Sequence, residues 1–141
     1  MNWVYGVSII PFEEGGFVVS VRDLPEVLTF GDDLDEAIRM AEDAIFVIVA
    51  GRIRDESPLA LPTPVLDGEY AVPLRAQVAA KASVYALWKE AGLSKSELAR
   101  RLNRSETEVR RLLNPDHGTK LTQISDAAQA LGRTLVIGLA S

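Results

Sequence analysis

The sequence of 141 residues contains no cysteine, which excludes a disulfide framework and thiolate chemistry. Its one histidine, His117, cannot build a typical zinc site without other ligands. No apolar run is long enough to cross a bilayer, and Glu13 and Glu14 interrupt the first one, so we expect neither a membrane span nor a signal peptide. Gly15 and Gly16 are followed by neither a phosphate-loop lysine nor a dinucleotide fingerprint. These absences predict a cytoplasmic protein with no metal and no cofactor.

The net charge of −5 conceals two halves of opposite sign. Residues 1–73 carry fourteen Asp and Glu against four Lys and Arg, whereas residues 74–141 carry six against eleven. Such asymmetry indicates two modules with different partners. The basic half suits a polyanion, and the acidic half suits a basic partner because it would repel a polyanion.

The acidic half predicts a small α+β module in which a helix crosses one face of an antiparallel sheet. Aromatic and β-branched runs predict strands over residues 3–10, 17–21 and 27–30. A hairpin turn joins the first two strands, and a break over residues 23–25 precedes the third.

A helix follows the third strand, with Asp32 or Asp33 as its N-cap and Gly51 as its C-cap. Its apolar stripe consists of Leu34, Ile38, Ala41, Ile45 and Ile48. Residues 57–73 are rich in proline and predict a linker, within which 69–72 is a candidate fourth strand. The first module, in the order β-β-β-α-β, therefore covers residues 1–56, or 1–72 with that strand.

The basic half predicts a helical domain over residues 74–141. Helices over 74–91 and 121–131 flank the stretch 93–113, which reads as two short helices joined by a tight turn. Residues 133–140 then alternate in polarity and predict a final strand.

The stretch 93–113 contains two capping boxes, in which a hydroxyl at the N-cap is followed three residues later by a glutamate. They consist of Ser94 with Glu97 and of Ser105 with Glu108. Asn103 tolerates the left-handed conformation that the intervening turn needs. This is the pattern of a helix-turn-helix, whose second helix lies in the major groove of DNA.

On the second helix we expect Thr107, Arg110 and Arg111 to face bases or their flanks. Phosphate contacts are expected from four further residues: Lys95, Arg104, Ser105 and Lys120. The alternative is an ordinary helical hairpin with a solvated basic face. Small Ala99 and apolar Val109 at the matching offsets, together with the capping boxes, favour the DNA-binding interpretation.

The predicted strand over 133–140 has no obvious partner within a helical domain, and unpaired strand edges are a liability. We expect it to pair with the same strand of a second chain and so form a homodimer. The alternative is pairing with an edge of the N-terminal sheet. A dimer would read a palindromic operator.

Three short motifs occur together within residues 11–45: GGF at 15–17, DLP at 23–25 and GD-x-x-x-EA at 31–37. This stretch resembles the N-terminal module of HicB-type antitoxins. Residues 72–137 resemble the helix-turn-helix that many of these antitoxins carry. The two stretches together cover most of the chain, in the order of the family.

The resemblance implies a type II toxin–antitoxin system, in which the partner is a small basic HicA-type toxin that cleaves mRNA. The first module would cover the active site of the toxin, and the second would bind operator DNA and repress the operon. We expect six acidic residues to contact the toxin: Glu13, Glu14, Asp23, Glu26, Asp32 and Asp33. The alternative for each of them is a solvated turn or a helix cap.

Two other functions deserve comparison. The first module also resembles a reduced ribonuclease H fold, and a nuclease would need metal-binding carboxylates such as Asp23, Asp32 and Asp33. These residues lie in turns and at a helix start, where Asp is expected as a cap, so we expect no enzyme. The remaining alternative is an orphan transcription regulator whose first module senses another protein or a small ligand.

Overall fold

The structure, a computed structural model, describes residues 1–140, and the chain divides into two compact units. The first unit comprises residues 1–52 and 59–79. The second comprises residues 53–58 and the described chain from Ala80 onward. Most of the proline-rich segment, residues 59–73, therefore belongs to the first unit.

The first unit contains a four-stranded antiparallel sheet in the order β3-β2-β1-β4. Its strands are β1 (Val4–Pro11), β2 (Phe17–Val21), β3 (Leu24–Gly31) and β4 (Tyr70–Pro73). Helix α1 (Leu34–Arg54) lies between β3 and β4 in the chain. The predicted order β-β-β-α-β is confirmed, including the candidate fourth strand.

The buried face of the sheet and the inner face of α1 form the core of the first unit. The sheet contributes Tyr5, Val7, Val19 and Val21, and α1 contributes Ala37, Ala41, Ile45 and Val49, all almost completely buried. The predicted helical stripe is thus partly wrong, because Ile38 and Ile48 are only half-buried and Leu34 is exposed. The inner face is rotated toward the small alanines, which let α1 approach the sheet.

Two predicted element boundaries are wrong. The break expected over residues 23–25 is a tight turn at Arg22 and Asp23, so Pro25 lies inside β3. Proline is tolerated there because β3 is an edge strand and one of its sides needs no hydrogen bonds. Helix α1 continues through Gly51, since a glycine inside a helix costs only about 1 kcal/mol.

The junction between β3 and α1 depends on Gly31. A Cβ atom at this position would lie 2.4 Å from the backbone nitrogen of Ala37 and 2.6 Å from its Cα. Asp33 then caps α1 by accepting a hydrogen bond from the Glu36 amide at 2.8 Å, and the Glu36 carboxylate accepts one from the Asp32 amide at 3.2 Å. The side chain of Asp33 therefore makes the capping bond, which identifies Asp33 as the N-cap, and Glu36 satisfies the amide of the residue before it.

The second unit is helical. It contains most of α2 (Ala76–Ala91), followed by α3 (Lys95–Leu102), α4 (Glu106–Leu112) and α5 (Leu121–Ala130). Helix α3 packs against both α4 and α5, and the core contains Leu98, Val109, Leu112, Ile124 and Ala127. In the part of the chain that the structure describes, no helix is both long and apolar enough to cross a membrane.

The C-terminal segment differs from its prediction. Within the single described chain, residues 133–140 form no strand, and the sheet of the first unit consists of β1 to β4 alone. The alternative pairing with the N-terminal sheet is therefore not found. A strand exists only when its backbone groups find a partner edge, so the alternating pattern is insufficient by itself.

Replacement of Gly31 by Ala should destabilise the protein, because the added Cβ must push against the backbone of Ala37. We expect Gly31→Ala to lower the free energy of unfolding by about 1–3 kcal/mol, as overpacking does. The matched control is Gly51→Ala, where a Cβ meets open space and should stabilise α1 by up to about 1 kcal/mol. Urea denaturation measures both, and equal effects at the two positions would refute the close-approach argument.

Candidate functional site

The α3–turn–α4 segment has the local geometry that the sequence predicts. Ser94 and Ser105 are extended N-cap residues whose hydroxyls accept hydrogen bonds from the amides of Glu97 and Glu108, at 3.1 and 3.2 Å. Asn103 has φ 53° and ψ 47°, which is the left-handed conformation. Both serine N-caps and the turn residue are confirmed, whereas the reciprocal half of each predicted capping box is not, because the carboxylates of Glu97 and Glu108 accept from the serine hydroxyls, at 3.3 and 3.4 Å, and not from the serine amides.

The turn at Asn103 completes the hydrogen bonding of the last turn of α3. The Asn103 amide donates to the Arg100 carbonyl at 3.1 Å, and the Arg104 amide donates to the Ala99 carbonyl at 2.9 Å. These bonds satisfy carbonyls that a helix end otherwise leaves unpaired. The chain therefore leaves α3 in a fixed direction before α4 begins.

Helix α4 buries one face and exposes the other. Val109 and Leu112 are buried, whereas Arg110 and Arg111 are exposed. The Arg110 side chain is 62% exposed although its guanidinium lies 3.3 Å from the Glu106 carboxylate. Both guanidinium groups can therefore reach a ligand in solution.

Three cations predicted to contact DNA have carboxylate partners within the second unit. Lys95 pairs with Glu56 at 2.6 Å and Arg104 pairs with Glu108 at 3.1 Å, in addition to the Arg110–Glu106 pair. The hydrogen bond from Lys95 lowers the pKa of Glu56, and that from Arg104 lowers the pKa of Glu108. All these side chains are partly exposed, so the pairs are weak and a phosphate can replace the carboxylate at small cost.

The other predicted DNA-contacting residues also lie in the second unit. Thr107 is exposed on the first turn of α4, Lys120 is exposed at the start of α5, and Ser105 uses its hydroxyl as the N-cap. Sequence reasoning missed Arg100 and Arg101, which are exposed at the C-terminal end of α3. Their position in the sequence did not identify them as DNA contacts, because cations in the last turn of a helix also interact favourably with its dipole.

Sequence reasoning also missed Lys81 on α2, which is 0% exposed. Its ammonium donates hydrogen bonds to the carbonyls of Arg111 at 3.0 Å and Asn114 at 2.7 Å. Burial lowers the pKa of Lys81 to about 8, and the charge of Asp116 partly opposes this shift. A lysine in a predicted amphipathic helix gives no sign that it is buried.

The six acidic residues predicted to contact a toxin form two separate groups. Glu13, Glu14, Asp32 and Asp33 lie at one end of the sheet, because Phe17 at the start of β2 is paired with Gly31 at the end of β3. The other group, Asp23 and Glu26, lies near the turn at the opposite end of β2. The two ends of β2 are roughly 13 Å apart at the usual rise of a strand.

The two acidic groups also differ in their contacts. Asp23 accepts hydrogen bonds from the backbone and hydroxyl of Thr63, at 2.8 and 2.9 Å, and Glu26 pairs with Arg52 at 2.5 Å. These bonds hold parts of the first unit together. At the other end, Glu13 and Glu14 are exposed in the β1–β2 turn.

Exposed apolar side chains lie next to the Glu13 end of the sheet. Ile10, Val18 and Phe30 lie side by side across β1, β2 and β3, and Leu28 lies on the same face two residues before Phe30. Leu28 is 76% exposed, and Ile10, Phe30 and the neighbouring Phe12 are also exposed. We call Ile10, Phe12, Val18, Leu28 and Phe30 the apolar row.

The carboxylates proposed for a metal-dependent nuclease are not brought together. Asp23 lies at the opposite end of β2 from Asp32 and Asp33, and it is hydrogen-bonded to Thr63. Among residues 1–140, no group of three histidine or acidic side chains is arranged to hold a metal ion.

The sequence matches known proteins over nearly its whole length. A family profile described as the HicB-like antitoxin of bacterial toxin–antitoxin systems matches residues 4–83. Antitoxin HicB of Escherichia coli K12 is 34% identical over 131 residues, covering 93% of this chain and 95% of that protein. The chain belongs to the HicB family of antitoxins. Antitoxin HicB 1 of Photorhabdus laumondii is 36% identical over 138 residues, covering 98% of this chain and 88% of its own length.

The family match confirms the resemblance inferred from the three short motifs. The profile spans β1 to β4 of this HicB-family antitoxin, so it includes the apolar row and all six acidic candidates. The α3–turn–α4 segment lies beyond residue 83, and the full-length relatives cover it.

Proposed function

We propose that this antitoxin neutralises a HicA-type, mRNA-cleaving toxin with its first unit and represses its own operon by binding operator DNA with its second. One observation carries the proposal: each unit exposes side chains suited to its partner. Arginines project from α4, and an apolar row flanked by carboxylates lies on the sheet. A toxin and operator DNA as partners would place this protein in the cytoplasm. We expect it to regulate by binding these partners and not by catalysing a reaction.

The α3–turn–α4 segment would act as a helix-turn-helix, with α4 as the recognition helix in the major groove. Thr107, Arg110 and Arg111 would contact bases or their flanks, since guanidinium groups bind guanine edges with paired hydrogen bonds. The phosphate contacts would come from the exposed residues around them: Lys95, Arg104, Ser105 and Lys120. The exposed Arg100 and Arg101 extend this basic surface.

A single helix-turn-helix contacts little DNA, so we propose that the protein binds its operator as a homodimer. The C-terminal segment supplies a means of pairing, because Val136, Ile137 and Leu139 are largely exposed in the single chain. Pairing of residues 133–140 with the same residues of a second copy would satisfy their backbone groups and cover these side chains. Two recognition helices would then read half-sites about 34 Å apart, or a multiple of that.

The apolar row is the surface that we propose for the toxin. A protein that binds RNA carries a basic surface, and the exposed carboxylates of Glu13, Glu14, Asp32 and Asp33 are complementary to it. Their charge would accelerate association, whereas burial of the apolar row would supply most of the affinity. Asp23 and Glu26 belong to the other acidic group and already have partners, so we expect a smaller contribution from them.

Replacement of Arg110 by Ala should weaken operator binding by about 1–3 kcal/mol, because a paired contact to a base is lost. The matched control is Arg39→Ala, which removes the same charge from an exposed position on α1. Fluorescence anisotropy with operator and unrelated duplexes measures both variants. An equal loss for Arg110→Ala on the two duplexes would show that Arg110 contacts only phosphate.

Removal of residues 133–141 should convert the dimer into a monomer, because the proposed pairing segment is lost. Sedimentation velocity of the full-length and shortened chains measures the change. Operator affinity should fall with it, since the two half-sites are then bound independently. A shortened chain that remains dimeric would exclude this segment as the interface.

Replacement of Leu28 by Ser should weaken toxin binding by at least about 1 kcal/mol, as the loss of a central apolar contact does. The matched control is Val47→Ser, which removes an exposed apolar side chain from α1 in the same unit. Calorimetric titration with the purified toxin measures both. Unchanged toxin affinity in Leu28→Ser would refute the assignment, and altered self-association instead would mean that the apolar row binds a second copy.

A further inference from the structure

Lys81 is a charged residue in the interior of the second unit, and its ammonium donates hydrogen bonds at the end of one helix. Its side chain is 0% exposed, and its ammonium donates to the carbonyls of Arg111 and Asn114, at 3.0 and 2.7 Å. Arg111 lies in the last turn of α4, and Asn114 follows Leu113, the C-cap of that helix. Both acceptors are main-chain atoms, so the side chains of α4 remain free to face outward.

A buried lysine needs a physical reason, because moving an ammonium out of water is costly unless its donors are satisfied. The C-terminal carbonyls of a helix lack partners within the helix and form the negative end of its dipole. Lys81 adds a charged donor to two carbonyls that also accept backbone amides, those of Asn114 and His117, each at 3.2 Å, and it places a positive charge at the negative end of the α4 dipole. The charge of Asp116 supports the protonated form, which opposes the effect of burial on the Lys81 pKa.

Helix α4 depends on such external support, because it contains only seven residues. Helices of that length are not stable by themselves, and their position is set by the contacts that surround them. The N-terminal end of α4 is held by the N-cap hydroxyl of Ser105 and by a hydrogen bond from Ser96 to Glu106. Lys81 holds the other end, where Arg110 and Arg111 are located.

We propose that Lys81 is a positioning residue for operator recognition, which fixes the C-terminal end of α4 and thereby the direction of the Arg110 and Arg111 side chains. This inference rests on the proposed DNA-binding function. Paired hydrogen bonds to a base edge require an accurately placed guanidinium, whereas a phosphate accepts a cation from many directions. Lys81 therefore contributes to discrimination between sequences more than to general affinity for DNA.

The test compares Lys81→Met with Lys89→Met in the full-length protein. Lys89 lies on the same helix, and its replacement by Met removes the same charge. Its side chain is exposed, however, and its ammonium lies over the Tyr85 and Trp88 rings. For each variant, anisotropy gives the ratio of affinities for operator and for an unrelated duplex of equal length. We expect Lys81→Met to lower this ratio about tenfold or more, the loss expected for one base contact, and Lys89→Met to leave it unchanged.

Chemical rescue distinguishes the ammonium from the shape of the side chain. Because the chain has no cysteine, Lys81→Cys introduces a single thiol that bromoethylamine converts, in the unfolded chain, into a close analogue of lysine. After refolding, the aminoethylated protein should regain operator discrimination and the unmodified Lys81→Cys protein should not. Equal discrimination by the two forms would overturn the proposal.

Other outcomes separate this inference from the function on which it rests. If the wild-type protein does not prefer its operator to an unrelated duplex, the proposed DNA-binding function fails and the inference fails with it. If the wild type discriminates and Lys81→Met does so equally well, only the inference fails. A Lys81→Met chain that loses its helical circular dichroism altogether would also contradict it, since Lys81 would then support the whole unit rather than the end of α4.

Discussion

The left-handed turn at Asn103 is the constraint on which the arrangement of α3 and α4 depends. A continued right-handed conformation would join α3 and α4 into one helix, and Val109 and Leu112 would lie roughly 17 and 21 Å along its axis from Leu98 instead of packing into the same core. The turn instead redirects the chain, and the Ser105 cap starts α4 immediately afterwards. The outward position of Arg110 and Arg111 follows from this change of direction. Asparagine is suited to it because it adopts positive φ more easily than most side chains do.

Several cations of the second unit are partly neutralised by nearby carboxylates, although this unit has an excess of Lys and Arg. Lys95, Arg104 and Arg110 each have a carboxylate within reach, on Glu56, Glu108 and Glu106 respectively. A neighbouring carboxylate weakens the attraction for any phosphate, whatever the sequence of the DNA. In the proposed complex with DNA, specific contacts would then supply a larger share of the affinity, which favours discrimination over general binding. Under that proposal the positioning of α4 matters more than the number of cations around it.

The sequence predicts features that are set by residues close together in the chain. It does not predict features that are set by residues far apart in the chain. The stretch of the motif GD-x-x-x-EA meets three local requirements: Gly31 admits a close approach, Asp33 and Glu36 accept amide hydrogen bonds at the start of α1, and Ala37 is small. The caps of α3 and α4 and the turn at Asn103 were predictable for the same reason. In contrast, the tolerance of Pro25 depends on the edge position of β3, and the burial of Lys81 depends on carbonyls some thirty residues away. The division of the six acidic residues into two groups follows from strand register, which the sequence pattern alone does not specify.

The central claim is that one chain binds a nuclease with its sheet and a DNA duplex with α3 and α4. Amide hydrogen exchange of the full-length protein, recorded alone, with the toxin and with the operator duplex, tests it most directly. The account predicts that the toxin protects residues 10–31, around the apolar row, and that the operator protects residues 94–112. Protection of the same segment by both partners, or protection of the sheet by the operator, would contradict it.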